Sequence, residues 1–317
     1  VIEAAFLTDG QSAEWDHFCK GGLNGTFLHS RRFLSYHGTR FVDRSLMVRE
    51  DGQLVAVLPL AQSSGDATVV VSHPGATYGG LVHQGKVRGM RTIEALEACA
   101  SALHAAGYMR MQYKPVPHIY HQVPAQDDLY ALFRLGARRF RCDLSSSIDL
   151  TNRGAPSERR RRGLKKALRS VELQDGAEQL PALWAVLQDN LARKHDAQPV
   201  HSLQEMLELC QRFPQEIAVR VACIAGRVEA GVVLFRCGPV WHAQYIAASQ
   251  AAYDVSALDA VFDGAITEAK GAGARYFDFG TSNEEGGQVL NDGLYRFKTE
   301  FGGGGVAYEQ YEIELVR

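Results

Sequence analysis

Residues 276–287 (YFDFGTSNEEGG) and 293–305 (GLYRFKTEFGGGG) concentrate charged, aromatic and glycine residues in the combination that acyl transfer to an amine would use. Moving an acyl group from an ester or thioester requires a neutral nucleophile, stabilisation of the developing oxyanion and charge relief on the leaving group. Lys298 is the candidate for the oxyanion. Tyr295, about one helical turn before it, could protonate a leaving oxygen or sulfur. Asp278 could hold an attacking ammonium and accept its proton.

These side chains need elements that aim them. A short helix over 293–301 places Leu294, Phe297 and Phe301 on one apolar stripe and Tyr295, Lys298 and Thr299 on the adjoining polar face, with Arg296 and Glu300 as a surface pair four apart. The glycines from Gly302 end it, since glycine accepts the left-handed backbone of a helix C-cap. In YFDFG, strand alternation puts Tyr276, Asp278 and Gly280 on one face and Phe277 and Phe279 on the other. Asp278 therefore either faces solvent from a half-buried strand or turns inward to a partner, which could be Lys298, a group of backbone amides or a substrate amine.

In the order of these elements (YFDFG, then Thr281-Ser282-Asn283, then Tyr295-Arg296-Phe297-Lys298 with Phe301-Gly302) the chain resembles the FemABX-type transferases and their GNAT-superfamily relatives associated with polysaccharide clusters. The resemblance extends over most of the chain. It implies an α/β (α+β) fold of two tandem GNAT-like domains, each a mixed, mostly antiparallel sheet flanked by helices. It also implies that Phe297 lies beside the acyl donor and that Lys298 polarises the reacting ester.

The bulk composition is that of an ordinary soluble globular protein. With 317 residues, 46% hydrophobic and 22% charged, the chain is long enough for two medium domains, here expected at 1–152 and 153–317, the second carrying the donor site. A net charge of -2 supplies no global field for a polyanion, so any nucleic-acid contact is local. No stretch approaches the roughly 18 apolar residues of a membrane span and no basic-then-apolar leader is visible, so a cytoplasmic location is expected. The six cysteines lack any C-x-x-C pair, and the histidines, His73, His83, His118, His121 and His242 among them, lack metal-ligand spacing; no metal site or disulfide framework is expected.

Both halves show the same element order: hairpin, strand, loop rich in glycine or tyrosine, long helix, strand. In the first half SLMVREDGQLVAVLPLA reads as a hairpin whose strands are joined by Glu50-Asp51-Gly52, and HPGATYGG as a loop able to approach a ligand. Thr77 and Tyr78 of that loop, with Lys114 and Tyr120 beyond the next strand, are candidates for the acceptor site. The second half opens with SERRRRGLKKALRS. Capped by Ser157, this reads as a helix whose Arg159 to Arg162, Lys165, Lys166 and Arg169 surround a thin stripe of Leu164 and Leu168. It is either a solvated helix or a phosphate grip for a nucleotide-linked substrate or a tRNA acceptor end. Arg159 and Arg162 join the acceptor candidates.

On the donor side, Tyr245 and Tyr253 flank a strand-to-helix junction. With Phe297, Asn283 and Gly280 they form the candidate donor set. The Q/R-x-x-G-x-G/A loop that grips coenzyme A pyrophosphate is replaced here by YIAASQAAYDVSAL. That shifts the expected co-substrate from acyl-CoA toward aminoacyl-tRNA, with no permanently bound cofactor. The leading expectation is an aminoacyltransferase acting on an amine of a cell-envelope glycan, peptide or similar small precursor. An acyl-CoA-dependent N-acyltransferase on a nucleotide-linked amino sugar is the alternative, and a non-catalytic RNA-binding module built on the basic helix is a third.

Overall fold

A computed structural model describes residues 1–195 and 199–315. The chain forms two compact units. The first holds Val1–Asp143, Glu285–Gln288 and the end of the chain from Ala307; the second holds Leu144–Glu284 and Val289–Val306.

In the first unit, β1 (Ile2–Phe6) pairs antiparallel with β2 (Leu46–Glu50), and β2 with β3 (Gln53–Leu58). Asp51 and Gly52 make the hairpin turn with φ of 47° and 82°, the left-handed pair that matches strand twist in a two-residue loop. Helices α1 (Ser12–Lys20) and α2 (Arg31–Leu34) lie between β1 and β2 in the chain. Further on, β4 (Ala61–Gln62), β5 (Val69–Val71), β6 (Val82–His83), α3 (Met90–Ala105), β7 (Arg110–Tyr113) and α4 (Asp127–Arg134) follow. β6 completes the order β1-β2-β3-β6, and β5 runs parallel to β7. Leu96, Cys99 and Leu103 of α3 are buried among Val48, Leu58 and Met111, as a helical stripe packed on strands requires. The segment IEAAF carries too weak an alternation to mark β1 as a strand from sequence alone.

β8 (Arg138–Asp149) leads into the second unit. There the chain continues through α5 (Glu158–Ala167), β9 (Glu172–Asp175), α6 (Leu180–His195), α7 (Leu203–Arg212), β10 (Ile217–Ile224), β11 (Arg227–Cys237) and β12 (Val240–Ala248). After these come α8 (Gln250–Val255), α9 (Ala257–Gly271), β13 (Tyr276–Thr281), β14 (Asn283–Glu284), β15 (Val289–Leu290), α10 (Asp292–Thr299) and β16 (Gly304–Glu314). The sheet order is β8-β13-β12-β11-β10-β9. β10, β11 and β12 form an antiparallel meander, whereas β12 and β13 are parallel because α9 crosses between them. Leu258, Val261, Phe262 and Ile266 of α9 pack on this sheet with Phe277, Phe279 and Phe301. Among the described residues no helix is long and apolar enough to cross a membrane.

The basic helix α5 does not dock through a leucine stripe. Leu168, beyond its end, is 60% exposed, and the inward positions are Arg160, Gly163 and Ala167. At Gly163 a Cβ would come within 2.7 Å of the Asp259 carboxylate, so only glycine lets α5 approach α9 this closely. Arg160 fills the contact: its guanidinium reaches Asp259 at 3.0 Å and Glu300 at 3.1 Å and lies 4.8 Å over the Phe297 ring. Glu300 is therefore not simply the surface partner of Arg296, which it also meets at 3.3 Å, but one anion of a buried network joining α5, α9 and α10. Arg160→Ala strands two acidic groups out of water, and removing one member of a buried ion pair costs about 3–5 kcal/mol. Urea denaturation is expected to show a loss of that order, and a loss below about 1 kcal/mol would contradict this account.

Candidate functional site

The centre of the second unit follows from strand alternation. Phe277 and Phe279 of β13 face α9 and the phenylalanine core, so Asp278 must face the other way. It is fully buried there. Across β8 its register partner is Ser147, and across β12 it is His242. Ser145 and Ser147, two apart and hence on one face, each donate a hydroxyl to Asp278 Oδ1 at 2.6 Å. His242 Nδ1 lies 2.7 Å from Oδ2. Burial alone would raise this carboxyl. The hydrogen bond and charge of His242, with the serine hydroxyls, outweigh it and hold Asp278 well below the usual carboxylate range.

Pairing between β12 and β13 stops at His242 and Asp278, although β12 continues to Ala248. One step further along β13 the register against β8 shifts, and Gly280 takes φ +77°. This bulge frees the carbonyls of Gly280 and Thr281, and Lys298 of α10 donates to them at 2.9 and 2.7 Å. Lys298 is thus buried rather than presented to solvent from a polar helix face. Burial pushes its ammonium down to about 8, against the opposing pull of the Asp278 charge. Asp278, Gly280 and Lys298 are accordingly brought together.

The other candidates of this unit fall in separate places. Tyr295 is half-buried, its hydroxyl against Gly305. Asn283 accepts from the Leu144 amide at 2.5 Å and fixes the chain beyond β13. Tyr245 follows a bulge in β12, stacks edge-on against Trp184 and shares its hydroxyl with His201; burial pushes it up to about 12.

Arg159, Arg162, Tyr253 and Phe297, which the sequence divided between donor and acceptor, meet around one cavity of about 360 Å³. It lies at the carboxyl end of β12, with Ala248, Ala252 and Leu258 as apolar wall and Lys166 beside the arginines. Ser256, left-handed at φ 61°, caps the start of α9 in the same wall. Helix α8, capped by Ser249, occupies the stretch where a glycine-rich phosphate loop was missing. The arginines differ: Arg160 is committed to Asp259 and Glu300, Arg162 hydrogen-bonds Glu158, and Arg159 is exposed.

In the first unit, Tyr78 and Tyr120 are buried with ring centroids 4.7 Å apart, Tyr78 bonded to Thr26 and Tyr120 to Tyr308. Lys114 Nζ donates to the carbonyls of His73 and Ala76 at 2.6 and 2.5 Å, clamping the loop that carries exposed Thr77. Burial pushes Lys114 down to about 7, aided by Arg141.

Sequence reasoning grouped His242 with scattered histidines. Alternation in VWHAQY set it opposite core-facing Trp241, and SSSID marked a polar strand face, but no local signal reveals the parallel register that pairs His242 with Asp278.

Residues 157–298 match the family described as the acetyltransferase (GNAT) domain. No curated protein sequence matches significantly. Among solved structures, FemX is similar with a TM-score of 0.70 at 13% identity, over 98% of this chain and 97% of that one. The C-terminal domain of a putative lysylphosphatidylglycerol synthetase from Agrobacterium fabrum gives 0.59 at 15% identity, over 81% of this chain and 80% of that one. A tandem GNAT protein from the clavulanic acid biosynthesis pathway gives 0.53 at 10% identity, over 100% and 99%. At these identities the likeness is one of fold, and it extends through two tandem GNAT-like domains. Residues 157–298 thus carry a GNAT-type acetyltransferase domain, and the chain as a whole shares the fold of FemX and of the tandem GNAT protein.

Proposed function

We propose that this protein transfers an aminoacyl group from aminoacyl-tRNA to an amine of a cell-envelope glycan, peptide or similar small precursor, acting in the cytoplasm. The observation that carries this reading is the cavity at the end of β12, whose cations come from side chains of α5 rather than from a backbone phosphate loop. Ligands of open α/β sheets bind beyond the carboxyl ends of strands, where neighbouring strands part. Arg159, Arg162 and Lys166 suit phosphates of a nucleic-acid end, where side-chain cations position the backbone. Tyr253 and Phe297 offer ring faces beside them. The fold supports the same direction, since the similar Agrobacterium fabrum protein is named for an aminoacylated lipid.

The acyl carbon then lies toward the point where β12 and β13 part. Two of the three Lys298 N–H donors are given to Gly280 and Thr281, and the third serves the oxyanion. Tyr295 stands one turn away on the same helix as a donor for the leaving oxygen. Of the acceptor candidates in the first unit, Tyr78, Lys114 and Tyr120 are buried in its packing, and exposed Thr77 remains as the proposed acceptor contact there. Acyl-CoA as donor and a nucleotide-linked amino sugar as acceptor form the second reading, favoured by the acetyltransferase domain match. The non-catalytic RNA-binding alternative gives way to that match.

The donor is tested by offering the purified protein alanyl-tRNA or acetyl-CoA with glucosamine or a lysine-containing peptide and following label transfer by mass spectrometry. Transfer from the tRNA is expected; transfer from acetyl-CoA alone would replace this reading with the second. Replacing Arg159 and Lys166 by Ala is expected to flatten the salt dependence of tRNA binding by about 0.7 in log-log slope per lost contact.

Removing one oxyanion donor costs about 10²–10³ in kcat, so Lys298→Met is expected to lose turnover on that scale. The lysine works as a cation, and it is charged below about 8. Wild-type kcat is therefore expected to decline as pH rises through about 8, and a flat profile to pH 10 would remove Lys298 from this role.

A further inference from the structure

The fold treats the cations of α5 differently, and Arg160 is the buried member. Its Nε donates to Glu300 Oε2 at 3.1 Å and its Nη1 to Asp259 Oδ2 at 3.1 Å. The guanidinium also lies 4.8 Å over the Phe297 ring and 5.6 Å over that of Phe301, so its plane is fixed on every side but one. These contacts account for two of its three nitrogens. Nη2 donates to no group among the described residues and, unlike Asp259 Oδ1, is not sealed from solvent. Arg160 lines the cavity at the end of β12, so that nitrogen is a pre-aimed N–H donor for whatever enters it. Exposed Arg159 and Lys166 have no such direction. Two carboxylates around one guanidinium would by themselves oppose an anion. Arg296 meets Glu300 at 3.3 Å, and Arg159 and Lys166 line the same cavity, so the groups facing an incoming phosphate are net positive.

We propose that Arg160 is the phosphate anchor of the donor cavity: Nη2 binds the donor's phosphate nearest the acyl group, and Asp259 and Glu300 hold the guanidinium that presents it. The inference rests on the reading of this cavity as the donor site. The ring beneath the guanidinium belongs to Phe297, the residue before Lys298 on α10. A phosphate seated on Nη2 is therefore registered against the helix that carries the oxyanion donor, whereas the exposed side chains at the rim add attraction without register. The chemistry recognised is a phosphate ester, carried either by a tRNA acceptor end or by coenzyme A.

The test uses the full-length chain with the lysine-containing peptide and two pairs of donors. One pair is 3′-alanyl-adenosine with and without a 5′-phosphate; the other is acetyl-CoA and S-acetylpantetheine, which lacks the phosphates. A hydrogen bond to a charged group is worth about ten- to a hundredfold, so wild type is expected to prefer the phosphorylated member of one pair by that factor in kcat/KM. The pair that shows the preference names the source of the phosphate. Arg160→Lys keeps a cation between Asp259 and Glu300 but loses the planar fork, and the preference is expected to fall below about threefold. Lost packing would slow both members of a pair alike and leave their ratio unchanged. Asp259→Asn keeps Arg160 in place, and it decides the matter should Arg160→Lys not fold. Asp259, pushed up by burial to about 6, is ionised above pH 7. Removing its charge there is expected to tighten adenosine 5′-monophosphate by about threefold or more in titration calorimetry. Equal use of both members in both pairs by wild type, an unchanged ratio in Arg160→Lys, or weaker nucleotide binding by Asp259→Asn would each overturn the anchor while leaving acyl transfer standing. A wild type that transfers from neither alanyl-tRNA nor acetyl-CoA would overturn the donor reading, and the anchor with it.

Discussion

A carboxylate taken wholly out of water costs several kcal/mol unless hydrogen bonds and opposite charge replace its hydration. Asp278 meets that requirement by drawing partners from both neighbouring strands, Ser145 and Ser147 on β8 and His242 on β12. The need for those partners ties the three strands in one register. Sliding β13 by a single residue would bring Phe277 or Phe279 against the serines and turn the carboxylate into the phenylalanine core, an arrangement excluded on both faces. The ends of β12 and β13 consequently part at a defined place.

The positive end of the site depends on the same strand. Where β13 passes Asp278 it must leave the ladder, and Gly280 permits this by adopting a left-handed backbone. The exposed carbonyls need donors, and a buried lysine supplies them from α10. The helix is held in turn by Phe297 and Phe301 against α9 and by the Arg160–Glu300 contact to α5. Asp278, Gly280 and Lys298 thus form one coupled unit: the anion keeps a desolvated ammonium charged, and the ammonium fixes the bulge that ends the strand.

Local periodicity carried much of this architecture. The hairpin around Asp51-Gly52 and the opposed faces of Asp278 and Phe277 were both readable, because each depends on residues within a few positions of one another. Partners set by crossovers were not. His242 meets Asp278 only because α9 returns the chain parallel to β12, and a parallel register leaves no mark in either strand. Burial of charge escaped for a related reason. Arg160, Glu300 and Lys298 look like helix-surface residues by type, and only the tertiary contacts of α5, α9 and α10 bring them together out of solvent.

The donor question turns on what kind of group faces the cavity at the end of β12. A glycine-rich loop grips phosphate with backbone amides that point inward at fixed spacing, which suits one compact pyrophosphate. Here α8 starts at Ser249, whose hydroxyl and carbonyl accept from the amides of Ala252 and Tyr253, so those two amides are committed within the helix. The cations around the cavity sit instead on flexible side chains of α5, with Arg159 and Lys166 exposed at the rim. Flexible cations tolerate variation in phosphate position, and their pull reaches only about 8 Å at physiological salt. A ligand with several phosphates distributed along a chain gains from such an array more than a single pyrophosphate does. Within one GNAT-type scaffold, that difference between a backbone grip and a cationic helix is the physical ground for the proposal of a nucleic-acid carrier rather than a small cofactor.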